Sequence, residues 1–352
     1  MLISDSASHA RDLVLAHGWN ATAYQILNPG ITHWFSRDGD AVVGFVRQAG
    51  TRVVAGAPVC SEARLPDVVR EFSASAQAAR ERVCYFGAGD RLERLLIPTG
   101  QWSAASLGAQ PSWDPHRWPG ILERRASLRA QLNRARNKGV MVTEWDAART
   151  RGATELRTCL AEWLANRHLP PLHFLVEPDT LSRLEDRRVF VASSGARVRG
   201  FLVASPIPAR NGWLVEQIIR GHRAPNGTAE LLLDAAMRAL AAPGVSYVTL
   251  GLAPLSRHSH FDRRRMPLWL RVGLTWLRAH GRRFYNFEGL DRFKAKFEPD
   301  QWEEIVALSD SPRFPMRALW AIAAAFSRGS PVALVSRALG RAATQELSRL
   351  RR

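Results

Sequence analysis

Residues 213–256 read WLVEQIIRGHRAPNGTAELLLDAAMRALAAPGVSYVTLGLAPLS, and this stretch decides the fold. Residues 213–219 are apolar and β-prone, Ala224-Pro225-Asn226-Gly227 turns the chain, residues 228–240 space their apolar side chains as a helix does, and residues 247–252 form a second strand after Pro243-Gly244. A strand, a tight turn, a helix and a strand make a βαβ unit, so the class is α/β. Asn226, Gly227 and Thr228 set backbone N–H groups at the positive end of the helix, where anionic groups dock. A Pro-Gly turn with Asn or Thr capping the helix uses the same residues without a ligand, and on these residues alone both readings stand.

Working outward, residues 156–166 read as a helix, and 189–193 and 199–207 as strands leading into the βαβ unit. The first part of the chain shows the same order. A helix at 6–17 precedes short strands at 34–35, 41–48 and 52–57, with hairpin turns at Asp38-Gly39-Asp40 and Ala49-Gly50; a helix at 65–80, a strand at 82–86 and a helix at 91–97 follow. The expected architecture is a tandem of two similar α/β domains, 1–120 and 143–308. Between them, residues 121–142, ILERRASLRAQLNRARNKGVMV, read as one basic helix ended by Gly139. Its Arg129, Arg134, Arg136 and Lys138 suit either a solvated linker or a phosphate-binding surface.

Residues 257–300 are denser in cations, with an apolar helix face at 268–277 on which Trp269 and Trp276 read as core, and a short strand at 284–287. The tail, 309–352, holds two apolar helical pieces, 318–326 and 332–339, accompanied by Arg328, Arg337, Arg341, Arg349, Arg351 and Arg352. It reads as a terminal helix packed on the body or as an interfacial helix on anionic lipid.

A chain of 352 residues that is 46% hydrophobic has the size and apolar content of a folded two-domain protein. Its formal net charge of +17 points to a polyanionic partner, nucleic acid or an anionic membrane surface, although a habit of Arg over Lys gives the same balance with no partner. Cys60, Cys84 and Cys159 lie far apart with no CxxC spacing, which speaks against a disulfide framework or a zinc site. The first residues carry no secretion pattern, and no apolar run reaches the roughly 18 residues of a spanning helix. A cytoplasmic protein is expected.

Four segments carry a resemblance: residues 128–139 (LRAQLNRARNKG), the turn 224–228 (APNGT), the strand end 250–256 (LGLAPLS) and residues 286–297 (NFEGLDRFKAKF). In that order they resemble the C-terminal catalytic domain of bacterial phosphatidylglycerol lysyltransferases, the aminoacyl-phosphatidylglycerol synthases, over roughly residues 20–308. The resemblance implies tandem GNAT-like (acyl-CoA N-acyltransferase-like) folds joined by a basic helix, with a tunnel through the second. It implies an aminoacyl-tRNA as donor, an anionic phospholipid hydroxyl as acceptor, no metal and no cofactor, and work at the inner face of the cell membrane. The family's membrane-spanning flippase module is absent, so a free-standing enzyme is expected.

The family's motif sets an Asp and an Arg three residues apart on the strand before the turn. Here Gln217 stands at the Asp position, with Glu216 beside it, and Arg220 matches the Arg. Gln is no general base, so either Glu216 takes that work, or the enzyme relies on positioning, or the acceptor differs. Strict alternation puts Glu216 and Gln217 on opposite faces of the strand. Asn226, Gly227, Thr228, Asn286, Glu288, Arg292, Lys294 and Lys296 match the remaining motifs as substrate contacts, and Arg129, Arg134, Arg136 and Lys138 as contacts to tRNA phosphate. His222, His258 and His260 lie near the motifs as proton carriers or as surface-loop residues. Three other readings remain open: the same transfer to another lipid or a soluble acceptor, a CoA-dependent N-acyltransferase with its pyrophosphate at Asn226, and a non-catalytic tRNA- or membrane-binding protein.

Overall fold

The computed structural model describes residues 2–165, 173–177, 179–280 and 286–327. The amphipathic helix α1 (Leu2–His17) turns Ala10, Leu13 and Val14 inward and leads into an antiparallel meander, β1 (Thr32–Phe35), β2 (Val42–Gln48) and β3 (Thr51–Ala55). Helix α2 (Leu65–Ala78) then crosses over to β4 (Arg82–Ala88), which lies parallel to β3. After α3 (Asp90–Leu96) comes β5 (Ser103–Trp113), an 11-residue strand absent from the sequence reading.

The basic segment expected as one helix is two, α4 (Trp118–Arg124) and α5 (Ala126–Arg136), broken at Arg125 where φ is −103° and ψ is 82°. Leu128, Leu132 and Ala135, spaced to share one face of α5, are buried, so α5 is packed on its apolar side and open on its basic side. The chain leaves it through Gly139, whose φ of +72° suits glycine.

The second half repeats the first. Strand β6 (Met141–Trp145) and helices α6 (Ala147–Gly152) and α7 (Thr154–Ala165) precede the meander β7 (Arg188–Ser194), β8 (Arg197–Ile207) and β9 (Gly212–Arg220). Helix α8 (Thr228–Leu240) crosses over to β10 (Tyr247–Thr249), parallel to β9, as the opening stretch of sequence requires. The strand expected to run to residue 252 stops at Thr249, and β11 (Ala253–Pro254) pairs with β5 instead. Helices α9 (Leu268–His280) and α10 (Phe287–Ala295), strand β12 (Gln301–Ser309) and helix α11 (Met316–Ser327) complete the described chain. Phe287 therefore begins a helix rather than ending a strand, with Asn286 as its cap; residues 284–285 and the tail piece at 332–339 lie outside the described residues.

All strands join in one 12-stranded sheet of order β1-β2-β3-β4-β12-β5-β10-β9-β8-β7-β6, with β11 beside β5. Strand β12, late in the chain, inserts between β4 and β5 of the first half, while the far end of β5 pairs with β10 of the second. Each half completes the other's sheet. Gly108 of β5 allows the close approach of β11: its φ is +134°, and a Cβ there would lie 2.2 Å from the Ala253 carbonyl oxygen.

Helices cover both faces. In the first half α2 and α3 close one side, and α1, α9 and α11 close the other through Leu270, Leu274, Ala318, Ala321 and Ile322, with Met266 just ahead of α9. These inward positions on α9 leave Trp269 and Trp276 on the outside, 38% and 60% exposed, so the tryptophans expected in the core are at the surface. In the second half α8 lies between the sheet and α5, and α7 covers the opposite face. No helix of the described residues is long and apolar enough to cross a membrane.

Candidate active site

Strand β9 carries the three residues expected at the chemistry, and a β-bulge decides where they point. Val203 of β8 pairs with Gln217 and Ala204 with Val215, which leaves Glu216 as the extra residue. The bulge cancels strict alternation. Instead of facing opposite ways, both side chains engage the segment 177–187. Glu216 accepts from Arg187 Nε at 2.7 Å and Nη2 at 3.1 Å, in an ion pair whose side chains are 7% and 2% exposed. Gln217 accepts from Thr180 Oγ1 at 3.1 Å and donates to the Glu177 carbonyl at 3.1 Å. Both oxygens of the Glu216 carboxylate are thus taken up by a buried guanidinium. The segment is also gripped by the first half, where Arg11 and the Tyr24 hydroxyl both donate to Asp186.

Arg220, at the end of β9, is exposed and has no ion pair or side-chain hydrogen bond among the described residues. Just beyond it, Gly221–Ala224, with Cys159, Glu162 and Arg197–Arg199, line a cavity of about 810 Å³. His222 is among the lining residues; His258 stacks on Trp302 at 4.1 Å and 10°, and His260 is exposed.

The turn before α8 is clamped rather than open. Gly227 has φ of +94°, and a Cβ there would lie 2.0 Å from the Gln131 carbonyl oxygen of α5, so only glycine fits. Thr228 is fully buried and donates Oγ1 to the Pro225 carbonyl at 2.7 Å, with its N–H on the same oxygen at 3.2 Å. Of the three turn residues Asn226 alone is exposed, which removes most of the cradle that a CoA pyrophosphate needs.

Next to the turn, α4, α5 and α8 meet at Asp234, 3% exposed, which accepts from Trp118 Nε1 at 2.9 Å, Arg136 at 3.0 Å and Arg238 at 2.9 Å. Arg129 donates to the last carbonyls of α4, Leu122 at 2.6 Å and Glu123 at 2.5 Å. Both arginines border a groove of about 470 Å³. Of the four cations expected on phosphate, these two are engaged in the fold; Arg134 and Lys138 are exposed and unpaired among the described residues.

Residues 286–297 lock onto the end of β10. Asn286 Oδ1 accepts from the Gly289 N–H at 2.9 Å and caps α10, and Arg292 pairs with Glu288 at 3.0 Å. Lys294 is buried, its ammonium donating to the carbonyls of Leu250 at 2.7 Å, Gly251 at 2.7 Å and Leu252 at 2.9 Å. Burial pushes its pKa down to about 7, with Asp291 opposing. Asp291 in turn accepts from Ser256 Oγ at 2.5 Å, and Lys296 pairs with Glu230 of α8 at 2.5 Å while lying over the Phe293 ring. Thus 286–297 touches 250–256, the turn touches 128–139, and Lys296 bridges to α8. The four segments singled out in sequence converge around one helix.

A second cluster was not visible in sequence. Where β5, β10 and β12 lace together, Arg210 pairs with Glu303 at 2.9 and 2.5 Å, Tyr247 Oη donates to Glu303 at 2.9 Å, and Gln110 Nε2 donates to Tyr247 Oη at 2.8 Å. Burial, then Glu303, raises the Tyr247 pKa. Arg210 and Arg91 both lie over the Trp19 ring, at 5.0 and 3.7 Å, beside a cavity of about 390 Å³. These residues come from distant parts of the chain and share no motif; topology alone assembles them. Among the described residues no group of three or more His, Cys, Asp or Glu gathers to hold a metal.

Two meander-plus-βαβ units sharing one sheet, with a bulged strand, a clamped turn and a capped strand end, make a tandem α/β fold, and the family it belongs to makes the chain an acyltransferase. The chain belongs to the family described as phosphatidylglycerol lysyltransferase, C-terminal, whose profile matches residues 11–307. Among solved structures it is similar to the C-terminal domain of a putative lysylphosphatidylglycerol synthetase from Agrobacterium fabrum, at 24% identity and a TM-score of 0.77, covering 93% of this chain and 98% of that one. It is also similar to L-PGS from Bacillus licheniformis, at 20% identity and a TM-score of 0.75, covering 91% and 96%. No curated protein sequence matches it.

Proposed function

We propose that this acyltransferase moves an aminoacyl group from an aminoacyl-tRNA to the hydroxyl of a phosphatidylglycerol-like lipid at the cytoplasmic face of the membrane. In this reading residues 143–308 form the catalytic unit, 1–120 the first acyltransferase-like unit, and 121–142 the basic connection between them. The observation that carries it is the convergence of the four family segments around α8, with Arg220, Arg134 and Lys138 beside them, unpaired among the described residues. Family membership supplies the lipid and amino-acid chemistry.

The reaction exchanges one aminoacyl ester for another, so it needs no added energy source. The lipid hydroxyl must lose a proton, the tetrahedral oxyanion must be stabilised, and the ribose oxygen must regain a proton. Gln217 takes no proton and Glu216 is held by Arg187. The proposed enzyme therefore works by positioning, with the acceptor's proton passing to the departing ribose oxygen as the bonds exchange. Arg220 faces the developing negative charge or an acceptor phosphate. Lys294 acts through the backbone it holds at 250–252 and is a positioning residue.

The test is incubation of the purified chain with labelled aminoacyl-tRNA pools and phosphatidylglycerol vesicles. Label extracted with the lipid is the expected result, and label that stays on tRNA with every pool and acceptor counts against the proposal.

A further inference from the structure

Seven of the nine large apolar side chains exposed among the described residues lie on two helices, α9 and α11. On α9, Leu268 and Val272 stand one turn apart, 70% and 60% exposed, with Trp269 beside them. On α11, Met316, Leu319 and Trp320 form a similar stripe, 70%, 37% and 47% exposed. Both helices bury their inner faces in the same apolar layer against the first half of the sheet, so their outer faces emerge on one side of the molecule. An exposed apolar surface of this kind on a folded protein marks a contact.

The charge around these stripes selects the occupant. Residues 257–280 and 311–327 hold eight arginines and one acid, Asp262. Arg278 has its pKa lowered, first by burial and then by Arg257 and Arg263, while Asp291 and Glu288 oppose the shift. A second copy of a chain of net charge +17 would set arginines against arginines. Residues 328–352 would do the same, with six arginines and one acid. An anionic bilayer surface satisfies both features: apolar and indole side chains enter the interface while arginines meet lipid phosphate.

We propose that the outer faces of α9 and α11 form a docking surface for anionic membranes, with Trp269 and Trp320 as interfacial anchors and Arg271, Arg313 and Arg317 on headgroup phosphates. The inference deepens the function above, resting on an acceptor that sits in a bilayer, yet its test is separable. Flotation of the full chain is measured with phosphatidylcholine vesicles and with vesicles that also contain phosphatidylserine, an anionic lipid distinct from the proposed acceptor. Binding is expected on the anionic vesicles and to fall with salt. Trp269→Ser with Trp320→Ser should weaken it tenfold or more, and each of Arg271→Glu, Arg313→Glu and Arg317→Glu by about fivefold or more. Met141→Ser, at an exposed residue of β6, should leave it unchanged. Apart from Arg271, which is half-buried, all these positions are exposed, and unchanged melting curves confirm that the variants fold.

Absence of flotation on the anionic vesicles overturns the inference, as does flotation that the helix variants leave intact. A concentration-dependent dimer that the same variants abolish assigns the face to a second copy and also overturns it. A chain that floats but transfers no label keeps this inference and defeats the function proposed above, and transfer to dispersed lipid without flotation does the reverse.

Discussion

Each half of the sheet contains one parallel pair fed by a crossover helix, β3–α2–β4 and β9–α8–β10, and the two pairs end differently. All five residues of β3 are buried, and the strand stays in register with β4 from Thr51↔Arg82 to Ala55↔Phe86. β9 accompanies β10 for three pairs only, Gly212↔Tyr247 to Leu214↔Thr249, and then continues through the bulge at Glu216 with β8 as its partner. The polar groups follow the same division. Arg52 of β3 is buried against Glu81 at 2.5 Å and Ser75 at 3.1 Å, whereas Arg220 at the end of β9 faces solvent. A zipped pair satisfies itself; strands that part leave groups for a ligand, and ligands of open α/β sheets bind beyond the carboxyl ends of parallel strands. Two copies of one topology thus separate into a scaffold junction and an open one.

The largest expected effect tests whether Glu216 belongs to the fold or to the chemistry. Glu216→Ala leaves Arg187 buried without its counter-charge, and urea denaturation should show a loss of about 3–5 kcal/mol. A fully stable variant with transfer abolished would return Glu216 to the role of base and break the contrast between the junctions.

Lys294 comes next. Lys294→Met orphans the carbonyls of Leu250, Gly251 and Leu252, for an expected loss of about 3 kcal/mol. Its pH dependence has a definite sign. Burial lowers the folded-state pKa from 10.5 to about 7, so between those values the unfolded chain binds more protons than the folded one. The stability of the wild type relative to Lys294→Met should therefore rise as pH increases from about 7 toward 10.5, and be lost as pH falls back through about 7. The opposite slope in paired melts would show that the three carbonyls hold the ammonium more firmly than burial opposes it.

Two glycines sharpen the comparison further. Gly50, in the hairpin before β3, has φ of +68° and no atom within 4 Å of where a Cβ would stand, so Gly50→Ala should cost only the backbone strain, about 1 kcal/mol. Gly227 adds the clash with the Gln131 carbonyl, and Gly227→Ala should cost about 2–3 kcal/mol and loosen α5 from α8. Equal midpoints in denaturant for the two variants would mean that the turn is not clamped.

What was legible in the sequence divides along physical lines. The meanders, α2 and α8 were readable because each has its own local period and turn chemistry, and α8 spans the expected residues 228–240. Strands β5 and β12, which hold the halves together, were not. SAASLGAQPSW carries small residues, Gly108 and Pro111, and becomes a strand because β12 borders one edge and β10 and β11 the other. The motif residues stood out as a pattern, but pattern does not show what an atom touches: Lys294, a cation by type, meets three carbonyls, and Asn286 is a helix cap. Trp269 and Trp276 misled because helical spacing identifies a face without saying which of two apolar faces of α9 is turned inward.

Arg220 supplies the last test, with the smallest effect on stability. Its side chain is exposed and makes no contact that folding depends on, so Arg220→Ala should leave the melting midpoint unchanged. If the open junction binds the reacting groups, aminoacyl transfer should nevertheless fall by tenfold or more, with tRNA retained in a filter-binding assay. Arg220→Lys keeps the charge but loses the fork that grips phosphate or an oxyanion through two N–H groups, and should recover part of the rate. A rate unchanged in Arg220→Ala would leave the parting of β9 from β10 without a chemical purpose and move the search to the Arg210–Glu303–Tyr247 cluster, where β5 and β12 join the halves.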